Sequence, residues 1–136
     1  MTGRPNRPSA GRFPGRRRDR QRAERSGRFA ETLCRWHLRL RGWRVLACDW
    51  RCSAGEIDIV AARPELLAFV EVKARPTLAE AAIALGPRQQ LRLLAAAEIA
   101  LAEHPDWERE GMRFDLIVVD AAGTVRRIAD AFRLEN

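Results

Sequence analysis

Four side chains between Glu56 and Lys73 carry charge where the surrounding pattern calls for burial. Glu56 and Asp58 lie in GEIDIVAA, Glu71 and Lys73 lie in LLAFVEVKAR, and a Pro64-Glu65 turn separates the two runs. Each run reads as a short strand, and together they read as a hairpin. Side chains alternate across a strand, so Glu56 and Asp58 share one face of the first while Glu71 and Lys73 share one face of the second. Charge inside apolar strands is costly unless it is paired or bound to a cation. Two carboxylates about 4 Å apart repel by roughly 4 kcal/mol at an effective dielectric of about 20. A positive group is therefore expected between them, and the candidates are Lys73 and a divalent metal ion.

Lys73 is the only lysine among 25 basic residues. Arginine serves at every other basic position, yet here an ammonium is kept. Arginine stays protonated and presents a flat fork, whereas lysine is a compact charge whose pKa moves with burial. A site that positions or deprotonates a water beside a metal has reason to prefer lysine. The bland alternative is an ordinary same-face Glu71–Lys73 pair on a half-exposed strand.

These residues carry a resemblance. Asp58, followed after the hairpin by Glu71-Val72-Lys73, resembles the D…(D/E)-x-K motif of the restriction-endonuclease-like superfamily, which includes archaeal Holliday-junction resolvases. More closely, GEIDIVA, FVEVKAR and the upstream Ala30-Glu31-Thr32-Leu33 resemble the YraN-like family of small bacterial proteins, from about residue 27 to the C-terminus. The resemblance implies an α/β fold with a restriction-endonuclease-like core, a mixed central β-sheet flanked by helices. It implies a metal-dependent nuclease acting on DNA phosphodiester bonds, branched or processed DNA included, in repair or recombination. Asp58 and Glu71, with the Val72 carbonyl, would hold Mg2+ or Mn2+, with Glu56 as a further ligand. Lys73 would orient or deprotonate the attacking water, and Glu31 would point from its helix at the active-site sheet. Many members of the family carry a lysine near Gln89, where this chain has none. The competing reading is a non-catalytic nucleic-acid-binding or adaptor protein of the same fold.

The chain's net charge of +7 has a definite location. Residues 1–25 hold nine arginines against Asp19 and Glu24, which is 9 − 2 = +7, and residues 26–136 balance at 16 basic and 16 acidic. The expected organisation is a disordered basic tail over 1–25 and one nuclease-like domain over 26–136. A basic arm on a neutral domain suits non-specific, salt-sensitive phosphate contact, and equally a solubilising extension. Arg51, Arg75, Arg88 and Gln89 are the candidate nucleic-acid contacts of the domain. With no run of 18 apolar residues, no signal-like N-terminus and three cysteines in no regular framework, a cytoplasmic protein without membrane association is expected.

The elements that must position these groups follow from periodicity. Residues 27–41 predict a helix ended by Gly42, with Phe29, Leu33, Trp36 and Leu40 as its buried stripe. Residues 43–51 predict a strand with Trp43, Val45, Ala47 and Asp49 on one face and Arg44, Leu46, Cys48 and Trp50 on the other. A helical patch over 78–85, a longer helix opened by Gly86-Pro87 and running to about 103, and a buried strand over 112–120 come next. An edge strand over 124–128 and a helical turn over 129–134 close the chain. The strand after the long helix is expected to run parallel to the Glu71 strand. Trp36, Trp43 and Trp50 are expected in the core, and Trp107 in an exposed loop. Cys34, His37, Cys48 and Cys52 have the residue types of a zinc site, but on a core helix and in mid-strand rather than in a knuckle.

Overall fold

The computed structural model describes residues 28–132, apart from the side chain of Ala82. The expected basic tail lies outside the described residues. A helix over 28–40 (α1) is followed by three strands, Arg44–Cys52 (β1), Gly55–Arg63 (β2) and Leu66–Ala74 (β3). Two helices follow, Leu78–Ala84 (α2) and Pro87–Glu103 (α3), then a 3-10 turn Pro105–Trp107 and strands Gly111–Val119 (β4) and Val125–Phe132 (β5). The five strands form one sheet in sequence order. All neighbours are antiparallel except β3 and β4, which run parallel from Leu66↔Gly111 to Ala74↔Val119. A parallel pair needs a long connection, and α2 with α3 supplies it.

Helices cover both faces, which explains why β2 to β4 are apolar almost without interruption. Leu67 and Phe69 of β3 pack with Leu93, Ala96, Ala97 and Ala100 of α3. Ala68 and Val70 pack with Ala30, Cys34 and Leu38 of α1. The alanines of α3 let its backbone lie close on the sheet, and Pro87 opens the helix where an amide donor is not required.

Four expectations are corrected. First, α1 buries Ala30, Cys34 and Leu38 and leaves Phe29, Trp36 and Leu40 exposed at 61%, 57% and 77%. The helix carries two stripes, and the smaller side chains face the sheet because they permit close approach over Ala61 and Ala68. Second, the alternation of β1 breaks at a register shift between Val45 and Ala47. Trp43 and Val45 join the α1 side, whereas Leu46, Ala47 and Trp50 join the α3 side. Third, residues 129–132 continue β5 instead of forming a helical turn. A register shift there pairs Phe114 with Phe132, whose rings stack at 4.8 Å. Fourth, Trp107 is buried, stacked on His104 at 3.9 Å and edge-on to Trp50 at 6.3 Å. The 3-10 turn folds the indole back against β1, so a polar-looking loop hides an aromatic plug.

Candidate functional site

The site forms where β2 and β3 part. Their ladder runs from Arg63↔Leu66 to Ile59↔Val70 and stops there. Ile57 belongs to the α3 core and Ile59 to the α1 core, although residues two apart on a regular strand share a face. The strand therefore twists at Asp58. Instead of standing clear of the sheet, the carboxylate lies within it, and its Oδ2 accepts the Val72 N–H at 2.8 Å.

Two further acids converge on it. Asp49 of β1 lies between the pairs Cys48↔Ile59 and Trp50↔Ile57, hence abreast of Asp58, with a left-handed φ of 49°. Glu31 reaches across from α1. Carboxylate oxygens of Glu31, Asp49 and Asp58 lie within 4.8 Å of one another, the described group best placed to hold an ion. Burial and then the charge of Glu71 push Asp58 up to about 8, with Glu31 and Glu56 adding to the rise against the Val72 hydrogen bond. Glu31 is pushed up to about 7 by burial, by its hydrogen bond to Asp49 and by the charges of Asp49 and Glu56, with Arg35 opposing.

The other half of the site faces α3. Glu71 is only 6% exposed. Its Oε2 lies 3.2 Å from Lys73 Nζ and accepts a hydrogen bond from Gln89 Nε2, also at 3.2 Å. The side chain of Gln89, at the first turn of α3, thus occupies a polar contact with the strand acid. Glu56 is at the rim, 3.5 Å from Arg51 across the β1–β2 pair. Arg75 turns back on the end of β3, its Nη1 donating to the Ala74 carbonyl at 3.0 Å. Arg88 is exposed at the start of α3. Asp58, Glu31, Glu71, Lys73 and Gln89 are therefore gathered at one end of the sheet, with Arg51 and Glu56 beside them.

Asp49 is the residue that sequence reasoning passed over. It interrupts the apolar run from Val45 to Trp50 as Asp58 interrupts β2, but its side chain is exposed, so no burial cost singles it out. Cys34 is on the buried face of α1, its thiol pushed up to about 12 by burial and by the charges of Asp58 and Glu31. It serves as core, not as a thiolate ligand.

Carboxylates held this high predict an inverted pH profile for stability. Folded Asp58 and Glu31 keep protons up to about 8 and about 7, whereas their ordinary values are 3.8 and 4.5. Between those limits the folded state binds more protons than the unfolded chain, so stability falls as pH rises. In metal-free buffer the thermal midpoint is expected to decline from about pH 4 to about pH 8 and to level off above it. Scanning calorimetry in a chelator series checks this, and a midpoint rising across that window would contradict it.

A five-stranded mixed sheet flanked by helices, with acids collected where two central strands diverge, defines an α/β protein compatible with a restriction-endonuclease-like core. The chain belongs to UPF0102, an uncharacterised protein family whose profile matches residues 30–119. A UPF0102 protein of Granulibacter bethesdensis is 59% identical over 114 residues, covering 84% of this chain and 72% of the relative. One from Azorhizobium caulinodans is 46% identical over 123 residues, covering 90% and 93%. One from Chelativorans sp. is 48% identical over 103 residues, covering 76% and 83%. No helix among the described residues is long and apolar enough to cross a membrane.

Proposed function

We propose that this protein is a divalent-metal-dependent nuclease that cuts DNA phosphodiester bonds at the β2–β3 fork. The observation that carries the reading is the convergence of Glu31, Asp49 and Asp58 beside the Glu71–Lys73 pair. Three crowded carboxylates, two of them held partly protonated, form a donor set of hard oxygens short of positive charge. That chemistry fits Mg2+ or Mn2+ rather than a softer metal. Asp58, Glu31 and Asp49 would hold the ion, with Glu71 and Glu56 adjoining. Bound there, the ion supplies charge neutralisation to the phosphate under attack. Lys73, held by Glu71, donates a hydrogen bond to the attacking water and faces the charge that builds on the phosphate oxygens. Gln89 steadies Glu71 and so keeps the ammonium aimed. Arg51, Arg75 and Arg88 lie on the approaches as contacts for the DNA backbone.

The test joins binding to turnover. Asp58→Asn keeps an oxygen for the Val72 N–H and removes the central charge. Mn2+ at about 100 times its Kd should stabilise the wild type by about 2.7 kcal/mol and leave Asp58→Asn unmoved. Cleavage of single-stranded, duplex and branched DNA should require the ion and vanish in the same variant. An ion that stabilises both proteins equally, or cleavage that survives Asp58→Asn, removes the proposal. Salt-sensitive DNA binding without cleavage under any metal would point to the non-catalytic form of the fold.

A further inference from the structure

The acid site does not use the exposed stripe of α1. Phe29, Leu33, Trp36 and Leu40 recur at four, three and four residues, which places them along one side of the helix. Phe29, Trp36 and Leu40 lie open, and Leu33 is half-buried. Trp36 is the exposed member of four tryptophans, since Trp43 and Trp107 are buried and Trp50 packs against His104 and Trp107. An open ridge of large apolar side chains on a small domain marks a contact surface.

Charge decides what kind of partner fits. Arg28, Arg35 and Arg39 form a row beside the ridge, and the Arg39 guanidinium lies 5.9 Å from the Trp36 ring centre. The helix has one acid, Glu31, and that side chain is turned to Asp49 in the acid pocket. The outward surface of α1 is thus apolar and cationic with no exposed acid. A second copy of the same helix would set these arginines against one another, which opposes self-association. A polyanion with flat apolar faces matches both properties, because bases stack on aromatic rings while arginines take the phosphates.

We infer that α1 is a stacking platform for single-stranded nucleic acid, with Trp36 and Phe29 receiving bases and Arg28, Arg35 and Arg39 holding the backbone. The inference rests on the nuclease reading, and it specifies that reading's substrate as DNA with a single-stranded segment. Glu31 links the two surfaces. Along the helix axis it is about 3 Å from Phe29 and about 7.5 Å from Trp36 at 1.5 Å per residue, and at about 100° per residue it faces roughly 140–160° away from them, with the row of Arg28, Arg35 and Arg39 between. A strand stacked on the ridge reaches the carboxylates by passing around the helix over that arginine row. An anionic bilayer would also satisfy the charge, but it would bring no phosphodiester to them.

The experiment measures binding without turnover, so its failure is separable from failure of the cleavage reading. Full-length protein in EDTA, all variants in an Asp58→Asn background, is titrated against a labelled 20-nucleotide oligothymidylate, a 20-base-pair duplex and phosphatidylserine vesicles. Trp36→Ala should weaken oligothymidylate binding about tenfold or more, as expected for one lost stack. Trp36→Phe should recover most of it, and duplex affinity should change less than about threefold. Residues 1–25 are common to all variants and cancel in the comparison. The thermal midpoint of Trp36→Ala should stay close to that of its parent because the side chain is open. Equal loss on duplex and single strand, no effect of Trp36→Ala, absent oligothymidylate binding, or a preference for vesicles lost with Trp36 would each overturn the inference.

Discussion

Lys73→Arg is expected to fold like the wild type and to cleave DNA about 10²- to 10⁴-fold more slowly, the range of a lost general acid–base or proton-positioning group. The argument is that the substitution preserves charge and changes only its form. Lys73 Nζ lies 3.2 Å from Glu71 Oε2, and its side chain is largely covered. A guanidinium can keep that ion pair, so Glu71 is not left buried and alone. What it cannot do is present a compact, rotatable donor to a water. Lys73→Ala is a poorer probe, since it strands the Glu71 charge at 6% exposure and mixes a folding defect with a chemical one. Single-turnover cleavage on a DNA substrate, with unfolding curves in parallel, checks the expectation. Arginine activity within about threefold of wild type would reduce Lys73 to a positive charge that happens to be lysine.

The second large effect concerns stability and lies two strands across from Asp58, where Asp115 pairs with Val70. Asp115 is 1% exposed on β4. It accepts Arg113 Nε at 2.9 Å and Nη2 at 3.2 Å, Arg127 Nη1 at 3.2 Å and the Asp130 N–H at 2.8 Å. The last bond holds the β5 irregularity in which Asp130 takes a φ of 56°. The Arg113 and Arg127 guanidinia lie 5.4 Å and 5.7 Å from the Trp43 ring centre, beside Arg63 at 4.4 Å. Asp115→Ala removes the carboxylate from the midst of these cations and leaves a backbone donor without its acceptor. Breaking a buried pair of this kind costs about 3–5 kcal/mol. At about 4–8 °C per kcal/mol for a domain of this size, the midpoint should fall by more than about 12 °C. Asp115→Asn keeps an acceptor for the Asp130 amide and should lose less. Urea and thermal unfolding of both variants test this, and a loss under about 1 kcal/mol in Asp115→Ala would show that water replaces the carboxylate at little cost.

The two clusters have opposite signs and opposite histories in the sequence. Asp58, Glu71 and Lys73 were legible because each interrupts a run whose every other residue is apolar, and a burial pattern of period two makes such interruptions conspicuous. Asp49 is exposed, and it sits on a strand whose register shifts two residues earlier, so its face could not be counted off from Trp43. Asp115 lies in MRFDLIVVD with no partner nearby except Arg113, and its second cation and its amide come from β5, 12 and 15 residues away. No local pattern announces a bond of that separation.

By itself the sequence determined the alternation of helix and strand, the hairpin at Pro64-Glu65, the helix opening at Gly86-Pro87 and the parallel return of β4, because turn chemistry and hydrophobic period act within a few residues. It also marked the charged residues that a buried strand must account for. Only the tertiary structure decided which stripe of α1 faces inward. Phe29, Trp36 and Leu40 are the more hydrophobic choice, yet Ala30, Cys34 and Leu38 are buried, because the sheet beneath offers Ala61 and Ala68 and rewards close approach over side-chain size. That rotation of the helix is what turns Glu31 to Asp49 and Asp58 and turns Trp36 to solvent. A helix's own residues describe its possible faces; the surface it lands on selects among them.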